Sequence, residues 1–192
     1  MHSSYRWFLC LTVAITASLN TLSVAQSTDA ERHVVVISID GFAAYLVDDP
    51  KVPLPTIRRL AREGCLIEGG MKVSDPAVTW PNHTTLLTGV KPGRHGVLAN
   101  GVLVRGGIGM PVNIDSHRDQ RDLVKVPTVA DVAHAAGLRT AEVNWPCTRN
   151  SQSFDDQFPD VPNALDYTTP RLRTELIKKG LLQDETHASF RK

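Results

Sequence analysis

The stretch HVVVISIDGF, residues 33–42, decides how the chain is read. Five of its residues from Val34 to Ile39 are β-branched hydrophobics in near-continuous order. A run of that kind reads as a strand buried on both faces, and hence parallel and central in its sheet. Gly41 ends it sharply and leaves Asp40 at the carboxyl end of the strand, the edge at which ligands bind in open α/β sheets.

Outward from this run the chain alternates. LPTIRRLAREG (residues 54–64) reads as a helix with Pro55 in its first turn, Ile57, Leu60 and Ala61 on one face, and Gly64 as its stop. CLIEGGMKV (residues 65–73) is a short strand candidate. TWPNHTTLLTG (residues 79–89) opens a second helix near Pro81. KPGRHGVLANG is loop, and Asn100-Gly101 is a turn signal. VPTVADVAHAAGLRTAEVNWP repeats the helix-to-strand plan, with Thr128 as cap and Val129, Val132, Ala133 and Ala136 as the apolar face. TTPRLRTELIKKG closes with a helix capped by Thr169, with Pro170 at its first position and Gly180 past its end. Strands alternating with helices predict an α/β fold, a mostly parallel sheet flanked by helices in one domain.

Lys+Arg (21) nearly balances Asp+Glu (20), for a formal net charge of +1 over 192 residues. No basic field is present to grip a nucleic-acid polymer. The apolar fraction of 42% suits a chain that buries a core. Residues 1–25 stand apart. The apolar run Trp7–Leu19 follows a lone Arg6, and Ser23 and Ala25 offer the small residues of a cleavage site. This predicts a secretory signal peptide, export, and a mature chain over residues 26–192. The apolar run is too short to span a bilayer, which needs roughly 20 residues, so no stable membrane anchor is expected. Cys65 and Cys147 remain as a pair in an exported chain. One disulfide and two separate buried thiols are both open.

Two groups carry chemistry. Asp40 can point into a cleft and hold a hard or borderline cation, or make an Asx turn after the strand. Thr79 opens a helix whose N-terminus attracts anions, and its hydroxyl reads equally as a helix cap or as a nucleophile that a metal ion must activate. Asn82, in the same first turn, carries an amide able to donate to a phosphoryl oxygen. His83 reads as a structural histidine.

VVVISIDGF, PTIRRLAREG, AVTWPNHTTLLTGVKPGRHGVLANG and PTVADVAHAAGLRTAEVNWP together resemble the N-terminal half of a nucleotide pyrophosphatase/phosphodiesterase, a family of the alkaline phosphatase superfamily. The four segments stand in the family's order and cover most of Val34 to Pro146. The resemblance implies a hydrolase of phosphodiester or pyrophosphate bonds with two zinc ions, acting on a nucleotide or other small phosphodiester. Asp40 then matches a metal ligand, Thr79 the nucleophile and a metal-bound group, and Asn82 the residue that steadies a non-bridging oxygen.

The family's other metal ligands lie in its second half: an Asp with a His four residues on, an adjacent Asp-His pair, and a further His. His83, His95, His117, His134 and His187 do not stand in that pattern. The expectation is therefore an apparently truncated alkaline-phosphatase-like domain with at most one partial zinc site, whose partner is a missing C-terminal half. Two alternatives accompany it: a non-catalytic remnant of the same fold, and a phosphomonoesterase or phosphonate hydrolase of the same superfamily. Thr79 stands where a sulfatase needs Cys or Ser.

Overall fold

The computed structural model describes residues 32–182. The signal peptide expected over residues 1–25, and His187, lie outside them. The chain divides after Ile39. In the first unit, residues 32–39 carry no assigned secondary structure, and Val34, Val35, Val36 and Ile37 are largely exposed. The expected central strand is thus absent from the described residues. Hydrophobicity makes such a run compatible with a sheet interior, but a parallel strand exists only through the ladder bonds of neighbours on each side.

The second unit begins at Asp40. A 3₁₀ turn, Ala44–Val47, leads to α1, Pro55–Glu63. Pro55 occupies the first turn as the sequence predicts. Within α1, Arg58 turns back on the preceding segment: its Nε donates to the Val47 carbonyl at 2.8 Å and its Nη1 to the Val52 carbonyl at 2.8 Å. Residues 65–73, read as a strand, carry none. α2, Thr79–Thr88, ends at Gly89, whose φ of 68° is the left-handed conformation that glycine adopts without a Cβ penalty. α3, Pro92–His95, is a single turn. β1, Val102–Arg105, and β2, Val112–Asp115, form an antiparallel hairpin with Val102 opposite Asp115.

After α4, Gln120–Leu123, comes α5, Val129–Ala135. Thr128 caps α5 with a full capping box: its hydroxyl accepts from the Asp131 N–H at 3.1 Å, and Asp131 accepts from the Thr128 N–H at 2.6 Å. The apolar face read for α5 is not buried. Val129 and Val132 are mostly exposed, and Ala130 is the buried residue. β3, Ala141–Val143, runs parallel to β4, Asp156–Phe158, with Glu142 opposite Gln157. α6, Pro170–Lys178, follows a 3₁₀ turn, Ala164–Tyr167. Thr169 makes no side-chain cap. Its hydroxyl accepts instead from the Gln157 N–H at 3.1 Å, tying α6 to β4.

The sheet among the described residues is therefore two two-stranded pieces, one antiparallel and one parallel, rather than a mostly parallel sheet. Its core is correspondingly small: Trp80, Val97, Leu123 and Cys147, with Val102 and Val124 packed against them. Trp80 brings α2 into this core. His95 is fully buried beside it. Its Nδ1 accepts from the Val97 N–H at 3.1 Å, which assigns the proton to Nε2, 3.1 Å from the Thr85 hydroxyl. Burial holds the imidazole below its usual pKa. The two thiols are unpaired, Cys147 in the core and Cys65 exposed.

Candidate active site

Thr79 is the first residue of α2, after Val78 at the cap position. Its side chain does not cap the helix. The hydroxyl Oγ1 donates instead to Asp40 Oδ2 at 2.7 Å, across 39 positions of sequence. Asp40 is exposed and Thr79 half-buried, so the pair faces solvent from one side. Trp80, the next residue, is anchored in the core and fixes the start of the helix from below.

Asn82 is committed elsewhere. Its Oδ1 accepts from the Ser74 N–H at 2.7 Å, and its Nδ2 lies 3.2 Å from the Ser74 carbonyl, 2.9 Å from that of Pro76 and 3.0 Å from that of Val78. Two amide protons thus serve three carbonyls, and the side chain clamps the loop that delivers the chain to Thr79. His83 is one turn beyond Thr79. Its Nδ1 bonds the Thr79 carbonyl at 2.9 Å, and its ring meets that of Trp145 edge-on at 5.2 Å.

The helix opening holds fewer free donors than the sequence suggests. Pro81 has no N–H, and the Trp80 N–H donates to Asn100 Oδ1 at 2.7 Å. The Thr79 N–H is what remains beside the hydroxyl. Asn100 adds a donor of its own, because its Nδ2 bonds no described residue and Asn100 is exposed. Sequence reading took Asn100-Gly101 as a turn and no more. The turn itself was the available signal, since it sets an asparagine against the entry of α2.

The oxygens of Asp40 and Thr79 are hard donors of the kind that Mg²⁺, Mn²⁺ or Zn²⁺ accepts. They fit one side of a cation site in chemistry but do not complete it in number. Among the described residues no group of three His, Cys, Asp or Glu side chains could hold a metal ion. His117 and His134 each lie beside a carboxylate, Asp115 at 3.9 Å and Asp155 at 3.7 Å, and neither is grouped with Asp40.

Comparison with known proteins places this chain in a family. Rat ectonucleotide pyrophosphatase/phosphodiesterase family member 3 is 37% identical over 67 residues, which is 35% of this chain and 8% of that protein. Alkaline phosphatase PhoK from a Sphingomonas species is 35% identical over 70 residues, 36% of this chain and 12% of the relative. Bis(5'-adenosyl)-triphosphatase enpp4 of Xenopus laevis is 31% identical over 93 residues, 46% of this chain and 20% of the relative. The matches thus span a fifth or less of each of these relatives. No solved structure matches. The model of one family matches residues 34–189, which takes in Asp40, Thr79 and both asparagines, and the chain accordingly belongs to the Type I phosphodiesterase / nucleotide pyrophosphatase family.

Proposed function

We propose that this chain carries the nucleophile side of a phosphodiester- or pyrophosphate-hydrolysing centre, with Thr79 as nucleophile. The observation that carries the reading is the 2.7 Å hydrogen bond from Thr79 Oγ1 to Asp40 Oδ2 at the opening of α2. A lone threonine hydroxyl is weakly nucleophilic, and a carboxylate that accepts its proton orients the oxygen lone pairs outward. Attack on phosphorus forms an Oγ1–P bond and breaks the bond to the leaving oxygen. Hydrolysis of the phosphothreonine by water then returns the hydroxyl. Charge that develops on the phosphoryl oxygens calls for preorganised donors, and the Thr79 N–H and the Asn82 and Asn100 amides are the candidates at this helix opening. Asn82 was the donor expected from sequence. It reaches a phosphoryl oxygen by giving up one of its three carbonyls and remains the donor of our reading, with the exposed Asn100 amide as a second donor.

A cation, zinc in our reading, would be held by Asp40 and Thr79 with further ligands from beyond the described residues, and would lower the pKa of the hydroxyl. Those ligands are the part that a complementary C-terminal segment supplies, and with them the mostly parallel, helix-flanked sheet that the alternation of elements predicts. The substrate is a small nucleotide or phosphodiester. Export of the chain after residue 25 sets the reaction outside the cytoplasm.

Similarity to an alkaline phosphatase supports a second reading, phosphomonoester hydrolysis at the same threonine. The deciding assay offers bis-p-nitrophenyl phosphate, p-nitrophenyl phosphate and a dinucleoside polyphosphate to the zinc-supplemented chain, alone and with a C-terminal segment of a relative. Diester or pyrophosphate turnover lost in Thr79→Ala supports the proposal. Preference for the monoester supports the second reading. A complemented chain with no Thr79-dependent turnover leaves a non-catalytic domain.

A further inference from the structure

Behind the site lies a carboxylate that neither the threonine chemistry nor a metal centre uses. Glu142, on β3, is 7% exposed. Its Oε2 accepts from the Trp145 N–H at 3.1 Å, and its Oε1 lies 3.2 Å from the Thr148 hydroxyl, which also donates to the Trp145 carbonyl at 2.7 Å. Gln157, its partner across the ladder, and the Phe158 N–H hydrogen-bond to it as well. No ion pair reaches it among the described residues.

These contacts converge on the elbow from Asn144 to Asn150. Three of its residues hold positive φ: Asn144 at 58°, Cys147 at 60° and Asn150 at 52°. Asparagine tolerates that region; cysteine adopts it at a cost and needs its surroundings to hold it there. From the elbow, Cys147 packs with Trp80 in the core, and the ring of Trp145 meets that of His83 edge-on at 5.2 Å. His83 bonds the Thr79 carbonyl at 2.9 Å. A continuous path therefore runs from the Glu142 carboxylate through the Trp145 backbone, the Trp145 and His83 rings, and the imidazole to the backbone of Thr79.

We propose that Glu142 is a positioning residue for Thr79, acting through the Trp145–His83 contact to hold the first turn of α2 against Asp40. The inference rests on Thr79 as the reacting group. The ionised carboxylate accepts the Trp145 N–H in a charge-assisted bond, roughly twice as strong as a neutral one, so the ionised form grips the elbow harder. Desolvation raises Glu142 to about 7, which places loss of that grip within the working range. The titratable and charged groups around the network are Cys147 and Asp160 on the elbow side, Asp156 of β4 with Arg139 and Arg171 bound to it, and His83 on α2. Burial pushes the Cys147 thiol to about 12, so it stays neutral throughout.

The test compares wild type with Glu142→Gln, Trp145→Leu and Thr79→Ala, using the chain complemented for activity. Each variant is first checked for a single cooperative melting transition. Wild-type kcat should rise with pH through a limb near the Glu142 titration. Glu142→Gln should lose that limb and lower kcat by roughly ten- to a hundredfold, with KM nearly unchanged, as expected of a misplaced reacting group. Trp145→Leu, which leaves the carboxylate in place, should lower kcat by a similar factor.

A readout independent of turnover is the NMR signal of the Trp145 indole and the His83 imidazole. Both should shift with the Glu142 midpoint in wild type and in Thr79→Ala, and neither in Glu142→Gln. Absence of that shift, or a folded Glu142→Gln or Trp145→Leu variant with wild-type kcat, overturns the proposal. If Thr79→Ala keeps full activity while the shifts follow Glu142, the reading of Thr79 fails and the structural coupling stands.

Discussion

At Thr79 the proposed nucleophile stands where three features meet: a helix opening, a carboxylate at 2.7 Å and a tryptophan anchor beneath. Thr79→Ala removes the attacking atom without disturbing Trp80, and should lower phosphodiester turnover by at least about a thousandfold at unchanged melting temperature. Asn100→Ala removes a donor and the acceptor for the Trp80 N–H, and should lower kcat by about a hundredfold, the usual range for losing one charge-stabilising donor. Asn82→Ala frees three carbonyls and one N–H of the approach loop. It should cost roughly 1–3 kcal/mol of stability by urea unfolding, and should lower kcat as well, since the amide is a proposed phosphoryl donor. Asp40 and Thr79 were legible as candidates because strand-end and helix-start positions are where α/β chemistry sits. Asn100 was not, because its hydrogen bond to the Trp80 N–H crosses 20 positions of chain that no local pattern encodes.

At the scale of elements, helices read well and strands poorly. The helix over residues 79–88 and the capped start at Thr128 follow from local signals: a proline in the first turn, a glycine past the end, a Thr with an acid three residues on. Thr128→Ala removes the hydroxyl half of the capping box and should lower stability by about 1 kcal/mol, read as a fall in the urea midpoint at unchanged slope. Asp131→Asn should act in the same direction. Asp131 accepts from Thr128 and from Ser153, and these bonds hold its carboxyl below the usual range despite partial burial. Strands depend on partners remote in sequence, so the hydrophobic run at residues 34–39 announced a strand that has no ladder among the described residues. The face of α5 failed for the same reason. Periodicity located an apolar stripe at Val129 and Val132 but says nothing of what covers it.

At the scale of the whole molecule, stability responds to buried titratable groups that no composition reveals. Glu142 and His95 act in opposite senses. Glu142 is raised from the ordinary glutamate value of 4.5 to about 7, so the folded state binds its proton more tightly than the unfolded chain does. Its contribution is fully present below pH 4.5 and declines as pH rises through about 7. His95 is lowered, so the unfolded chain binds that proton more tightly, and stability is lost as pH falls below the ordinary histidine value of 6.5. Between those limits the two slopes oppose. Glu142→Gln removes one of them. Relative to wild type it should gain stability steadily as pH rises from 4.5 to about 7, by about 3 kcal/mol at most, since each pKa unit is worth 1.36 kcal/mol. Its own profile should then climb with pH toward the histidine value, as His95 alone dictates. Urea unfolding at half-unit steps of pH checks this, and a constant difference between the two proteins across that range would show that Glu142 ionises alike in the folded and unfolded chain.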